Sequence, residues 1–213
     1  MIFTLGTSLH NDSIKPQYQS QLCKVANEYG SKIANITVYV EQQMKLNNNY
    51  KAVLCADTKS YKILDKVVKA IQQHTLLTPQ HFAFCSGNPN QQLRAISLFN
   101  KPKQLSTKSK RKSQPNNKPN ILITTLQDNL KGVTRIDCDE VIYVDAIPFA
   151  GYKETKCWDT ITAAQHIACN IGRHVPFICF IAHNSIESST FLKHFPTTVT
   201  PEISPFYSKL TKC

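Results

Sequence analysis

The chain contains no apolar run approaching the ~18–20 residues that cross a bilayer, so no membrane partner is expected. Its opening, Met1-Ile-Phe-Thr-Leu-Gly6, lacks the basic n-region and full apolar stretch of a secretory signal. The eight cysteines include no Cys-x-x-Cys pair, and the seven histidines include no His-x-x-x-His pair. The common zinc spacings are therefore missing, and no metal site is expected. Cys55, Cys85 and Cys179 fall inside apolar runs, where a thiol behaves as a small core residue. A reduced, cytoplasmic setting fits that usage. Acids are scarce: 14 Asp and Glu stand against 25 Lys and Arg, a net of +11 over 213 residues. Such an excess points to a polyanionic partner only if it covers a folded face.

Most of the excess is local. Residues 101–120 carry six Lys, one Arg, three Pro and no acid. So little apolar surface cannot offset the entropy of ordering, and a disordered insertion is predicted. Without it the chain holds 18 basic and 14 acidic residues, a net of +4. The insertion itself suits loose phosphate contacts or a nuclear localisation signal; a plain solvated loop reads equally well.

Around the insertion, short apolar runs alternate with amphipathic stretches. Strands are predicted at 34–40, 52–56, 81–85, 121–124, 140–144 and 177–182. Helices are predicted at 59–73, capped by Thr58, at 90–99 carrying Leu93, Ile96 and Phe99, and at 159–170 and 185–194. Strand–helix alternation at this spacing implies an α/β sandwich around a mostly parallel sheet, with helices on both faces. In such folds sites gather beyond the carboxyl ends of the strands.

The loops at those ends resemble, in order, the C-terminal RecA-like domain of DEAD-box-type superfamily 2 RNA helicases. Lys51-Ala-Val-Leu-Cys-Ala-Asp-Thr58 is similar to motif IV, and Ser86-Gly-Asn-Pro-Asn-Gln-Gln-Leu-Arg94 to the Gly-Asp-x-x-Gln-x-x-Arg segment. Ile121-Leu-Ile-Thr-Thr125 is similar to the start of motif V, and Lys131-Gly132 to its Arg-Gly pair, one residue late. Gln165 to Arg173, with Ile171-Gly-Arg, is similar to motif VI. The resemblance implies a RecA-like three-layer sandwich over 33–195, preceded by a segment at 1–32 and followed by a Pro-rich linker at 196–213. The first segment is expected to be the end of a missing first RecA-like domain. The resemblance also implies an RNA surface at Thr58, Gly87, Gln91, Arg94 and Thr125, and a nucleotide-facing remnant at Gly132 and Arg173.

Each residue also has a plainer reading. Arg94 suits a helix-surface ion pair, Gly87 and Gly132 suit turns of positive φ, and Thr125 suits an ordinary strand end. Trp158 beside Tyr152 is a core aromatic or a base-stacking one. His166 and Cys169 share a helix face, but no third group orients them, and no catalytic residue is assigned. Asp57, Asp139 and Asp145 read as caps or solvated strand edges.

The departures from the family are informative. Asn170 and Pro176 stand where motif VI carries arginines, and Leu126 and Thr134 where motif V carries aspartates. Loss of an arginine finger removes about 10³–10⁵ in rate. The chain has no Gly-x-x-x-x-Gly-Lys-Ser/Thr and no Asp-Glu-Ala-Asp sequence. It thus has no cofactor of its own; ATP and Mg²⁺ enter only with a first RecA-like domain elsewhere, and the chain alone is expected to be inactive. The expected role is RNA binding or ribonucleoprotein assembly. Worn motifs V and VI are similar to those of the Tudor-domain, Yb-like group of the piRNA pathway, whose work is gene silencing in cytoplasmic granules. The alternatives are half of an active ATP-dependent RNA helicase and a module for self-association or binding another protein.

Overall fold

The computed structural model describes residues 3–5, 16–57, 61–101, 118–126, 136–145 and 175–180. Along them run β1 (Phe3–Leu5), α1 (Pro16–Tyr29), α2 (Ser31–Leu46), β2 (Ala52–Ala56) and α3 (Tyr61–His74). There follow β3 (Phe82–Phe84), α4 (Pro89–Asn100), β4 (Ile121–Thr125), β5 (Glu140–Tyr143) and β6 (Phe177–Cys179). The strands form one sheet in the order β1-β6-β5-β2-β4-β3, and every pairing is parallel. This is the α/β architecture expected from the alternation.

Side chains alternate across the sheet, as the pleat requires. Ala52, Leu54, Ile121, Ile123, Ile142 and Ile178 join one core with α1, α2 and α3. Their neighbours Val53, Cys55, Leu122, Thr124, Val141 and Tyr143 are equally buried but lie outside that core. On that second side α4 packs on β3 and β4, burying Ala95, Ile96 and Phe99. The result is three layers.

α3 follows its apolar spacing: Leu64, Val67, Val68 and Ile71 are buried, while Lys62, Lys66 and Lys69 are exposed. Residues 34–40 do not follow theirs. The strand expected there is the middle of α2. Ile33, Ala34, Ile36, Thr37, Val38, Val40 and Glu41 are all buried. Helix propensity disfavours β-branched residues by at most ~0.7 kcal/mol each. Burying each such side chain returns about 1.5–3 kcal/mol, so packing overrides propensity here. Thr37 shows the residue of that compromise. Its hydroxyl is fully buried and has no hydrogen-bond partner among the described residues. Thr37→Val, which keeps the shape and drops the orphan hydroxyl, is expected to stabilise the fold by about 1 kcal/mol. A higher urea midpoint at unchanged m-value would register it.

On α4 Ile96 and Phe99 are buried while Leu93 is 51% exposed. Two further expectations need correction. The N-terminal segment belongs to the same body: β1 pairs with β6, and Leu22 and Val25 of α1 join the core, so a boundary at 33 cuts through α2. The stripe Tyr18, Leu22, Val25, Ala26 and Tyr29 explains why, since α1 needs the α2–α3 surface to cover it. The basic insertion also ends earlier than residue 120. Asn120 is buried, donates from its backbone to His81 and from Nδ2 to the Tyr50 carbonyl (2.8 Å), and its carbonyl accepts from Ala52.

Cys55, Cys85, Cys138 and Cys179 are buried thiols, as expected for small core residues. Cys23 departs from the reduced state expected, being disulfide-bonded. No helix among the described residues is long and apolar enough to cross a membrane. The expected helices 159–170 and 185–194, the cap Thr58 and the linker 196–213 lie outside the described residues.

Candidate functional site

Because all six strands run the same way, their carboxyl ends share one edge of the sheet. Asp57 follows β2, Ser86 and Gly87 follow β3, Leu126 follows β4 and Asp145 follows β5. Among these, the β3–α4 turn has the most defined geometry. Gly87 has φ +90, and Asn88 caps α4. The Asn88 side chain accepts from the Gln91 backbone N–H (3.0 Å), and Gln91 Oε1 accepts from the Asn88 N–H (3.1 Å). Pro89 fills the first helical position and Gln92 Nε2 donates to the Gly87 carbonyl. The spacing Asn-Pro-x-Gln carries this capping box in the sequence, where Gln91 is otherwise read only as an RNA contact.

The box changes what the turn can offer a ligand. Pro89 has no N–H, and those of Gln91 and Gln92 are already engaged by Asn88. Spare backbone donors are few, so a bound anion would meet the positive end of α4 and Arg94 one turn on. Arg94 is exposed and makes no ion pair or hydrogen bond among the described residues. α4 itself contains no acid. The helix-surface ion pair expected as the plainer role of Arg94 is not formed with any described residue.

Thr125 is placed differently from its expected role. It pairs with Ala56 and is 1% exposed. Its side chain belongs to the wall of the edge and is not presented on it. Thr58, Gly132 and Arg173 lie outside the described residues, as do Trp158, Tyr152, His166 and Cys169.

Charge divides the edge in two. Near β2 and β5 the carboxylates of Asp57 and Asp145 both lie close enough to push the Tyr143 hydroxyl upward, added to the larger effect of its burial. Lys32 of α2 donates to the Asp145 carbonyl there (3.3 Å). An anion is disfavoured between those two acids. The β3–α4 end, with Arg94 and no acid, is the part suited to phosphate. No three of His, Cys, Asp and Glu among the described residues come together as a metal site.

Sequence reasoning passed over a second polar centre at the opposite edge. Glu140, at the start of β5, is 7% exposed. It accepts from the Tyr39 hydroxyl (2.8 Å) and from the Tyr50 hydroxyl. Burial raises its pKa, against the two tyrosine donors. The same burial, with Glu140 alongside, raises both tyrosines. The cluster ties α2 to β5 and reads as structural.

No protein-family model matches the sequence, and no curated protein does. Among solved structures, the chain is similar to the helicase domain of Hef from Pyrococcus furiosus. The TM-score is 0.48 at 14% identity, over 79% of this chain and 30% of that one. The chain thus spans less than a third of that structure's length.

Proposed function

We propose that this chain is a helicase-like, RecA-like C-terminal domain that binds the phosphate backbone of RNA at the β3–α4 end of its sheet and does not hydrolyse ATP by itself. The observation that carries the reading is the coincidence of three features at one strand end: the positive-φ Gly87 turn, the capped start of α4 and the exposed Arg94, which has no ion-pair partner among the described residues. Phosphate contacts of this kind position a strand without reading its sequence. The DEAD-box kinship and a place in ribonucleoprotein assembly in the piRNA pathway belong to the same reading and rest on the order of the motif-like loops. The positions expected to touch nucleotide, 170 and 176, hold Asn and Pro, which supports binding without turnover.

Arg94→Ala is expected to weaken single-stranded RNA about tenfold and to lower the slope of log K against log salt by about one. Titration at several salt concentrations measures both. Deleting 102–117 is expected to remove a further, steeply salt-dependent part; the cut must stop at 117 because Asn120 is built into the sheet. Binding that survives Arg94→Ala at every salt but vanishes with the deletion overturns the folded interface. Hydrolysis by the longer protein that falls with Arg173→Ala overturns the pseudo-enzyme reading.

A further inference from the structure

We propose that the bound RNA strand leaves the Gly87 turn along the outward stripe of α4, formed by Asn90, Arg94, Ser97 and Lys101. The inference rests on the RNA reading above and gives its strand a path. A helix turns once in 3.6 residues, so positions 90, 94, 97 and 101 fall within one narrow arc. The opposite arc faces the sheet and buries Gln92, Ala95, Ile96 and Phe99. All four stripe residues are exposed. Lys101 caps the carboxyl end of α4 with φ −56, so it continues the helical register.

Charge separates this helix from the others. α1 carries Glu28, α2 Glu41 and α3 Asp65, whereas the twelve residues of α4 include no acid. Neither Arg94 nor Lys101 has an ion-pair partner among the described residues. Lys45 of α2, by contrast, pairs with Glu41 at 2.9 Å.

A polyanion that meets Arg94 at the turn has two ways to continue. One runs across the carboxyl edge from β3 toward β2 and β5, where Asp57 and Asp145 follow the strands and repel it. The other runs along α4, which offers a second cation at Lys101 and neutral hydrogen-bonding side chains at Asn90 and Ser97. Arg94 and Lys101 lie about 10 Å apart along the helix, about three phosphates of a stacked strand at ~3.4 Å each. Contacts of this kind add affinity that depends on salt and is indifferent to base sequence.

Affinity for a labelled oligouridylate long enough to cover α4, read at several salt concentrations, tests the path on the full chain. Lys101→Ala should weaken binding about threefold and lower the slope of log K against log salt by about one. Ser97→Glu sets a carboxylate within pairing reach of both Arg94 and Lys101. It should weaken binding about tenfold and lower the slope by about two. Ser97→Gln, which lacks the charge, should leave both values unchanged. Lys66→Gln removes one positive charge from the exposed face of α3, on the other side of the sheet, and should also leave the slope unchanged. Far-UV circular dichroism and thermal melting verify the fold of each variant. If Ser97→Glu unfolds, Lys101→Ala decides alone, and an unchanged slope overturns the path.

Unaltered binding by Ser97→Glu, or an equal loss in Lys66→Gln, overturns the path and leaves the contact at the turn standing. An acidic peptide would meet the same cations and the half-exposed Leu93 and Leu98 beside them. Oligoglutamate that binds as tightly as the oligouridylate, with the same dependence on Lys101, therefore overturns RNA as the occupant of the stripe. Failure of the unaltered chain to bind the oligouridylate at all overturns the RNA reading and the path with it.

Discussion

Glu140→Ala is expected to lower the unfolding free energy by about 3 kcal/mol, the larger of the two largest effects foreseen. The carboxylate takes the Tyr39 and Tyr50 hydroxyls at once, and Tyr50 is 3% exposed. Without it two hydroxyls lose their acceptor in a site closed to water, at about 1–3 kcal/mol each, partly offset by removing a buried acid. Glu140→Gln keeps an acceptor and should cost only about 1 kcal/mol. Urea unfolding of the two variants at neutral pH tests the contrast; equal losses would make the cluster a matter of volume alone.

The same carboxyl sets a pH dependence. Its pKa in the fold is raised above the ordinary 4.5, first by burial. Below 4.5 both folded and unfolded chains hold the proton, and Glu140 contributes no slope. As pH rises past that value, the unfolded chain releases its proton while the fold still retains it. Stability therefore falls through the interval up to the raised folded value and is level beyond it. Glu140→Gln should abolish this component, so its stability relative to the unaltered chain rises across the same interval. A difference curve that is flat, or that slopes the other way, contradicts the raised pKa.

Gly87→Ala is expected to cost about 2–3 kcal/mol and to lower the melting temperature by about 5–10 °C. The backbone at φ +90 is left-handed territory, worth ~1–2 kcal/mol against any L side chain. An added Cβ would also lie 2.0 Å from Gln91 Oε1. Gln91 can swing away, but only by abandoning the Asn88 N–H, which adds about 1 kcal/mol of lost capping. Gln91→Ala alone should cost about that last amount. The double variant should then fall short of the sum of the singles, because both lose the same bond. Strict additivity would show that clash and cap are unrelated. Under the RNA reading proposed above, affinity for RNA should fall along with stability, because the turn precedes the helix that carries Arg94.

These residues mark what a linear reading could reach. Alternation of apolar runs predicted the parallel sheet, and β2, β3, β4 and β5 lie within about a residue of their expected limits. That signal survives because a strand buried on both faces is apolar at every position. The Gly87 turn and the start of α4 were also legible, as Gly, Asn and Pro dictate local backbone without help from afar. The site was legible only in part. Arg94 lies exposed on α4, but Thr125 is buried at the end of β4, and nothing in Ile121–Thr125 says which end is covered.

Tertiary contacts decided the rest. Residues 34–40 carry a strand's composition and became helix because α1 and α3 pack against them and most of their side chains are buried. Glu140 is an unremarkable acid in the chain and becomes a buried anchor only when Tyr39 and Tyr50, 101 and 90 residues away in sequence, converge on it. Phe84 is 47% exposed because β3 is the outer strand of the described sheet, which the strand order alone decides. Local chemistry determines which segments are strands and turns; burial, which sums over residues distant in the chain, determines which side chains are left to meet a partner.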